Sequence, residues 1–148
     1  MVWKPDVTVA AVVERDGRYL LVEERIRGRL VFNQPAGHLE DGETLIDAVA
    51  REALEETAWT FTPQWLLGVY QWRSPHGRST LRFAFVGTVH EFDAARALDP
   101  PVVATHWLTR AEVIARTPAL RTPLVLRCID DYLRGVRLPL EALAAPAR

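Results

Sequence analysis

The chain has only one cysteine, Cys128, among its 148 residues. A single thiol cannot form an intramolecular disulfide, and it cannot supply the cysteine clusters that bind structural zinc. Such a chain depends on its hydrophobic core for stability, and 49% of its residues are hydrophobic, which is typical of one globular domain of this length. Because cysteines stay reduced inside cells, we expect a cytoplasmic protein.

An excess of charge of one sign is also missing. The chain has 18 Lys and Arg residues against 19 Asp and Glu residues, for a formal net charge of -1. No global field therefore attracts it to nucleic acid or to an anionic membrane, and we expect neither as a partner. No segment approaches the roughly 20 apolar residues that span a bilayer. The short apolar stretch at the N-terminus ends in charged residues, which is not typical of a signal peptide.

The first third of the chain has short β-type segments separated by turn signals. Residues 7–13 and 19–23 flank Asp16 and Gly17, a pair typical of a tight hairpin turn, so we expect these two strands to pair. A third strand at residues 30–32 leads into residues 33–37. The proline and glycine in that last segment predict an end to regular structure.

The pattern becomes helical at residues 44–57. Thr44 is a suitable N-cap with Asp47 three residues later, and the segment contains neither glycine nor proline. At about 100° per residue the apolar side chains fall on one side, and Glu52, Glu55 and Glu56 fall beside them. The sequence therefore predicts a helix with one buried face and one acidic face.

The second half of the chain continues to mix strands and helices. Strands at residues 65–72 and 80–89 flank a turn at 74–77, another strand is predicted at 102–108, and Thr109 and Thr122 each open a short helix. We expect a single α/β domain over residues 1–141, with a mixed, curved sheet between helices. Residues 142–148 are predicted to be a flexible tail.

The acidic face of the first helix contains the chemistry. Glu52, Glu55 and Glu56 are spaced i, i+3 and i+4, so they lie together and repel one another. A hard divalent cation would compensate, because Mg²⁺ takes oxygen ligands and commonly joins protein carboxylates to substrate phosphates. We therefore expect these three glutamates to bind Mg²⁺, with the backbone carbonyl of Gly37 as a further ligand.

Arg51 is the only basic residue within this helix. An ion pair between Arg51 and Glu43, which precedes the N-cap, would hold the preceding loop against the acidic face, as supporting groups do at metal sites.

The spacing of these residues resembles the Nudix box, which begins here at Gly37 and runs to Trp59. Its six fixed positions are all matched, and by chance this arises on the order of once in 10⁵ chains. The matching residues are Gly37, Glu43, Arg51, Glu52, Glu55 and Glu56. Ala53 replaces an aliphatic residue of the box and Ala58 replaces its final glycine, which puts the geometry of the helix end in doubt but removes no metal ligand.

Segments outside the box are similar to the NudJ-type bacterial phosphatases of the Nudix family, and together with the box they cover nearly the whole chain. These segments lie at residues 33–40, 81–83, 121–125 and 138–141. The resemblance implies an α/β/α sandwich and a hydrolase that uses Mg²⁺, with Mn²⁺ as a possible substitute. The implied substrates are small phosphoanhydrides, namely nucleoside tri- and diphosphates and the pyrophosphate of hydroxymethylpyrimidine, a thiamine precursor. The resemblance is compatible with either a monomer or a homodimer.

In the expected mechanism, metal-activated water attacks phosphorus in line with the leaving phosphate. Glu52 or Glu55 accepts the proton of that water, and Glu43 and Arg51 complete the catalytic set.

Two alternatives stay open from the sequence. One is a hydrolase of ADP-ribose, nucleoside-diphosphate sugars or dinucleoside polyphosphates. The other is a Nudix-like domain that senses a nucleotide without hydrolysing it, which the complete set of box glutamates disfavours.

Several side chains outside the box are candidates for substrate contacts, although each also has an ordinary structural explanation. The candidates are Gln34, His38, Arg73 and Arg82, with Arg78 as a further arginine near the second hairpin. Tyr70 and Trp72 either stack on a flat ring or belong to the core. His106 and Trp107 are predicted to lie in the core or at its rim.

Overall fold

The structure is a computed structural model that describes residues 2–145. In this part of the chain there are eight strands, three α-helices and two 3₁₀ turns. The strands are β1 (Asp6–Val12), β2 (Glu14–Arg15), β3 (Arg18–Ile26), β4 (Arg29–Asn33), β5 (Ala36–His38), β6 (Thr60–Arg73), β7 (Ser79–His90) and β8 (Val102–Thr109). The helices are α1 (Leu45–Thr57), α2 (Arg110–Ala115) and α3 (Leu124–Leu133), and the 3₁₀ turns are Thr117–Ala119 and Leu140–Ala142.

The strands are divided between two four-stranded sheets. The first has the order β5-β1-β7-β6, and it is mixed because β1 and β7 are parallel while the other pairs are antiparallel. In the second, β3 pairs antiparallel with β2, β4 and β8. The expectation of a mixed sheet between helices holds for the first sheet, and the second sheet is an addition to it.

The hydrophobic core has two parts, which together explain the layering. One cluster joins Leu67 and Ala84 of the first sheet to Val125 and Ile129 of α3. The other joins strand residues such as Phe85 to Val49 of α1. Helices therefore cover the strands from different sides, and the predicted α/β class with an α/β/α arrangement is confirmed.

The predicted pairing of the first two strands is wrong, although the turn between them is present. At Asp16 and Gly17 the chain does reverse, but the partner of β3 there is the two-residue β2. β1 instead lies between β5 and β7, and Val9, Ala10 and Ala11 are fully buried. A strand with both faces covered suits the middle of a sheet, whereas a hairpin with one solvated face does not.

The turn-rich segment at residues 33–37 contains a short strand that the sequence did not predict. Ala36, Gly37 and His38 pair with β1, and the carbonyl of Pro35 accepts a hydrogen bond from the Ala11 N–H at 2.9 Å. β5 lies at the edge of the sheet, where a proline just before the strand costs no ladder hydrogen bond. This edge strand brings Gly37 close to α1.

Helix α1 begins and ends close to the predicted positions. The Thr44 hydroxyl accepts a hydrogen bond from the Asp47 N–H at 3.1 Å. At the other end Ala58 has a φ of 63°, and its N–H donates to the Leu54 carbonyl. Ala58 thus adopts the left-handed conformation that usually favours glycine, so the helix exit keeps that geometry despite the substitution.

The later strands and helices agree with the predictions, except that β6 is longer than predicted. β7, β8, α2 and α3 lie where they are predicted, and Thr109 and Glu112 form the expected capping box of α2. β6 begins earlier than predicted, at Thr60, and continues through Pro63. It tolerates the proline because it is an edge strand whose register shifts at that point.

The segment predicted as a flexible tail begins within a 3₁₀ turn. Ala142 is the last residue of that turn, and Leu143 packs against the core cluster beneath α1. Residues 146–148 of the predicted tail lie outside the described residues. No helix in the described part of the chain is both long and apolar enough to cross a membrane.

Candidate active site

Arg51 is the centre of the polar cluster that joins α1 to the preceding loop. Its Nη1 donates to Glu52 Oε1 at 2.8 Å and to Glu55 Oε2 at 3.2 Å. Nη2 donates to the backbone carbonyl of His38 at 3.0 Å. These contacts place one guanidinium between two carboxylates of the helix and the end of β5.

The predicted ion pair between Arg51 and Glu43 is present. Nε and Nη2 of Arg51 donate to the two carboxylate oxygens of Glu43, at 3.0 and 2.8 Å. The Glu43 carboxylate also accepts a hydrogen bond from the Glu40 N–H at 2.8 Å. The bonds from Arg51 hold the pKa of Glu43 below its usual value, so this carboxylate stays charged and clamps the loop to the helix.

Glu52 packs directly against the backbone of β5. A Cβ added at Gly37 would overlap with the Glu52 carboxylate, so the missing side chain at position 37 is what leaves room for this group. Burial raises the pKa of Glu52 and outweighs the opposing contribution of Arg51. The charge of the neighbouring Glu55 also raises it.

Glu56 is the most deeply placed carboxylate of the predicted set. It is buried, and its Oε1 accepts a hydrogen bond from the Ala36 N–H at 2.8 Å. Burial raises the pKa of Glu56 to about 9, and the charges of Glu24 and Glu52 add to this while the Ala36 N–H opposes it. Glu52 and Glu56 therefore both rest on the backbone of residues 36–37.

The structure adds a second buried carboxylate, Glu24, which was not predicted from the sequence. Glu24 lies on β3 and accepts a hydrogen bond from Arg121 Nη1 at 2.7 Å, and its side chain is almost fully buried. Its charge and that of Arg121 both act on Glu56. Alternation along β3 does not single out Glu24, because residues on both faces of this strand, Tyr19 to Val22, are buried.

The donor set of this region suits a hard divalent cation in its chemistry. It offers three carboxylates and backbone carbonyls, which are oxygen ligands of the kind that Mg²⁺ prefers. Within residues 2–145, however, no three acidic, histidine or cysteine side chains are grouped so as to enclose an ion. Two of the three carboxylates, Glu52 and Glu55, form ion pairs with Arg51 instead.

Gln34 and Arg82 lie inside the protein rather than at a surface that substrate could reach. Their exposed fractions are 1% and 3%. Arg82 donates to Gln34 Oε1 at 2.9 Å and to Asn33 Oδ1 at 2.7 Å, and Gln34 in turn donates to the Val125 carbonyl. This arrangement differs from the predicted substrate contacts, because the alternation of β7 puts Arg82 on the buried face shared by Ala84.

The other two candidates for substrate contacts are exposed. The His38 side chain is 61% exposed and its ring lies 3.7 Å from the Asp6 carboxylate. Arg73 ends β6 and lines an open groove of about 500 Å³ together with Trp3 and Trp72. Neither side chain is among the contacts of Arg51, and His38 bonds to Arg51 through its backbone carbonyl.

The aromatic and histidine residues of uncertain role have structural positions. Tyr70 is buried, and its hydroxyl donates to Asp131 at 2.6 Å. Trp72 is partly buried against the same core cluster. His106 lies at the rim, where its Nε2 is 3.0 Å from Glu23, and Trp107 packs against the cluster beneath α1. The core interpretation is therefore confirmed for Tyr70, His106 and Trp107.

Known proteins match this chain over most of its length. A model of the NUDIX domain matches residues 3–127. Two curated relatives named Phosphatase NudJ, from Shigella boydii and from Escherichia coli strain K12, are each 42% identical over 141 residues, which cover 95% of this chain and 92% of the relative. A solved structure of a NUDIX hydrolase from Nitrosomonas europaea is 50% identical, with a TM-score of 0.94 and coverage of 97% of this chain and 98% of the other.

Proposed function

Because the chain belongs to the NUDIX family, whose members hydrolyse diphosphate linkages with the help of a divalent metal, we propose that its metal is Mg²⁺ and that its substrates are small organic pyrophosphates. We further propose that nucleoside tri- and diphosphates and hydroxymethylpyrimidine pyrophosphate are hydrolysed with release of orthophosphate. The relatives named NudJ phosphatases, which match nearly the full length of the chain, support this choice. The free, buried thiol of Cys128 supports a cytoplasmic location.

One observation supports the proposed site above all. The carboxylates of Glu52 and Glu56 meet at the backbone of residues 36–37, one against Gly37 and the other on the Ala36 N–H. Two acidic groups one helical turn apart thus lie beside a backbone segment whose carbonyl oxygens can also act as metal ligands. In this proposal Glu52, Glu55, Glu56 and the Gly37 carbonyl hold the metal.

Bound Mg²⁺ would neutralise phosphate oxygens and activate water for in-line attack on phosphorus. Glu52 or Glu55 accepts the proton that this water loses. Arg51 keeps its bidentate pair with Glu43 throughout, because those two bonds fix the loop. Glu52 and Glu55 would hold the metal or take the proton with oxygens that Arg51 Nη1 contacts in this structure, so those two contacts would have to be given up.

Phosphate release from a panel of substrates, with Mg²⁺ or with EDTA, tests the proposed reaction. The panel comprises nucleoside tri- and diphosphates, hydroxymethylpyrimidine pyrophosphate, thiamine pyrophosphate, ADP-ribose and diadenosine polyphosphates. We expect orthophosphate from the first three classes in Mg²⁺ and none in EDTA. Release of AMP from ADP-ribose or from a dinucleotide, without turnover of the others, would contradict the proposed substrates.

The variant Glu52→Gln tests the proposed site. We expect it to abolish turnover while the protein keeps its fold, since the amide nearly preserves shape but loses the negative charge. Circular dichroism and thermal unfolding check the fold, and Glu141→Gln, an exposed glutamate far along the chain, is the matched control. Turnover within twofold of the unmodified enzyme would refute the assigned role of Glu52.

A further inference from the structure

A basic cleft lies next to the proposed site, with three segments of the chain forming its walls. They are the β3–β4 turn, the β6–β7 turn and the segment that precedes α3, and the cleft has a volume of about 280 Å³. Its cationic groups are Arg27, Arg29 and Arg121, His76 also lines it, and its apolar wall includes Val31 and Leu120. We use the name basic cleft for this set of residues.

The positive charge of the cleft is local and largely uncompensated. Arg121 forms an ion pair with Glu24, but neither Arg27 nor Arg29 forms one within the described residues. The chain as a whole has a net charge of -1, so this concentration of arginines is not a consequence of a basic protein. A cleft lined by both arginines and apolar side chains suits an organic anion, in which charged and apolar parts are joined.

The arginines of the β3–β4 turn are presented by a tight hairpin. Ile26 pairs with Arg29, so the turn has only two residues, and both Arg27 and Gly28 have positive φ values of 51° and 77°. This is the geometry of a type I′ turn, which matches the twist of its flanking strands. The backbone beneath Arg27 and Arg29 is therefore well fixed.

Two connections join the basic cleft to the carboxylates of α1. The first is Arg121, which lines the cleft and binds the buried Glu24 at 2.7 Å. The second is β4, since Val31 lines the cleft and Ala36, five residues later, donates its N–H to Glu56. The Cα atoms of Val31 and Ala36 are therefore at most about 17 Å apart, and the charge of Arg121, a residue of the cleft, acts on Glu56.

We infer that the basic cleft binds the part of the substrate that is not hydrolysed, and that it favours a compact organic group with a further phosphate of its own. This inference rests on the proposed function, because it assumes that the diphosphate linkage under attack lies at Glu52 and Glu56. A nucleoside triphosphate has one phosphate more than the diphosphate of the same nucleoside, and that additional charge is what Arg29 and Arg27 would recognise. The small volume disfavours the second nucleoside of a dinucleotide.

Steady-state kinetics of Arg29→Gln with a nucleoside triphosphate and with the diphosphate of the same nucleoside test the inference. We expect the KM for the triphosphate to rise roughly 10- to 100-fold, as for the loss of one hydrogen bond to a charged group. The KM for the diphosphate and kcat for both should stay within about twofold. Arg29→Lys should restore much of the loss because it keeps the charge, and Arg96→Gln, an exposed arginine of the β7–β8 loop, should have no effect. An equal rise for both nucleotides, or no rise for either, would overturn the inference.

Equilibrium binding separates this inference from the proposed function. The probe is a triphosphate with a β,γ-imido bridge, titrated into each protein by calorimetry with and without Mg²⁺. Weaker binding by Arg29→Gln, with unchanged binding by Arg96→Gln, supports the cleft even if the unmodified protein hydrolyses neither nucleotide. Binding that is equally tight in both variants means that the cleft does not recognise the phosphate chain.

Discussion

Gly37 shows how one missing side chain shapes the proposed site. The Glu52 carboxylate fills the space where a Cβ at position 37 would lie. We expect Gly37→Ala to fold, because a carboxylate at the end of a flexible side chain can swing aside, but to displace Glu52 and lower kcat/KM roughly 10- to 100-fold. Initial rates at saturating Mg²⁺, together with the thermal midpoint, measure both effects.

Gly68→Ala is the control for Gly37→Ala. Gly68 also lies in a strand, and an added methyl group there would press on the ring of Tyr70 at 3.3 Å without overlapping any carboxylate. If both variants lose activity equally, the loss reflects general strain in the first sheet and the explanation through Glu52 fails.

The candidate site was only partly predictable from the residues themselves. The spacing in the sequence was enough to predict the Arg51–Glu43 pair and the glutamate face of α1, because helix geometry fixes which residues are neighbours. The burial of Gln34 and Arg82 was not predictable, since it depends on strands β4 and β7 meeting α3 across the fold. Glu24 was missed for the same reason, as only the tertiary structure brings β3 next to Glu56.

Among the secondary-structure elements, β6 and α3 are joined by a buried polar contact. Asp131 of α3 accepts hydrogen bonds from the Tyr70 hydroxyl at 2.6 Å and from Arg127 at 3.0 Å, and it pairs with Arg134. Burial by itself raises the pKa of Asp131, but these bonds and positive charges outweigh it and lower the pKa below the ordinary value of 3.8. The charged form of Asp131 is therefore the one that the fold stabilises.

This contact predicts how stability changes in acid. Because the folded pKa of Asp131 is lowered, its contribution is fully present above pH 3.8 and is lost as the pH falls through the lower folded value. We expect Asp131→Asn to reduce the free energy of unfolding at pH 7 by about 1–3 kcal/mol. We also expect the variant to depend less on pH in that acid range. Urea unfolding between pH 2.5 and 7 measures both quantities.

The more exposed neighbour, Asp130, supplies a matched variant for this experiment. It pairs with Arg110 near the surface, where such pairs contribute roughly 0–1 kcal/mol. The role given to Asp131 would be wrong if Asp130→Asn flattened the pH dependence as much as Asp131→Asn.

Local sequence signals were sufficient to locate most helices and strands, but not to predict which strands pair with each other. Caps at Thr44 and Thr109 located two helix starts correctly, because a cap is a contact between residues three positions apart. The pairing of β1 was mistaken because the turn at residues 16–17 specifies only where the chain reverses. β5 was missed because a strand of only three residues, one of them a glycine, is too short to show an alternating hydrophobic pattern.

For the whole molecule, the arrangement of carboxylates predicts a stability that depends on Mg²⁺. A ligand that binds only the folded state stabilises it by about 2.7 kcal/mol at a concentration 100 times its Kd. For a chain of this size that corresponds to a rise in Tm of roughly 5–10 °C. We expect differential scanning fluorimetry to show this rise on addition of MgCl₂ to the metal-free protein.

Two comparisons make this measurement specific. NaCl at the same ionic strength should not reproduce the rise, since screening acts on all surface charges alike. Glu56→Gln should abolish most of it, because the amide, unlike the carboxyl group, cannot lose a proton to become an anionic metal ligand. A rise of the same size in Glu56→Gln would exclude Glu56 from the metal site.

The parallel pairing of β1 with β7 has a consequence for biosynthesis. Val9 pairs with Phe83, more than 70 positions later, so at about 5–20 residues per second the ribosome needs roughly 4–15 seconds to deliver the second strand. During that interval the nascent chain carries a β-prone, mainly apolar segment at residues 7–12, with one edge open to other chains. On the opposite edge Thr8 pairs with His38 of β5, only 30 positions later, so a partner for that edge is synthesised well before β7.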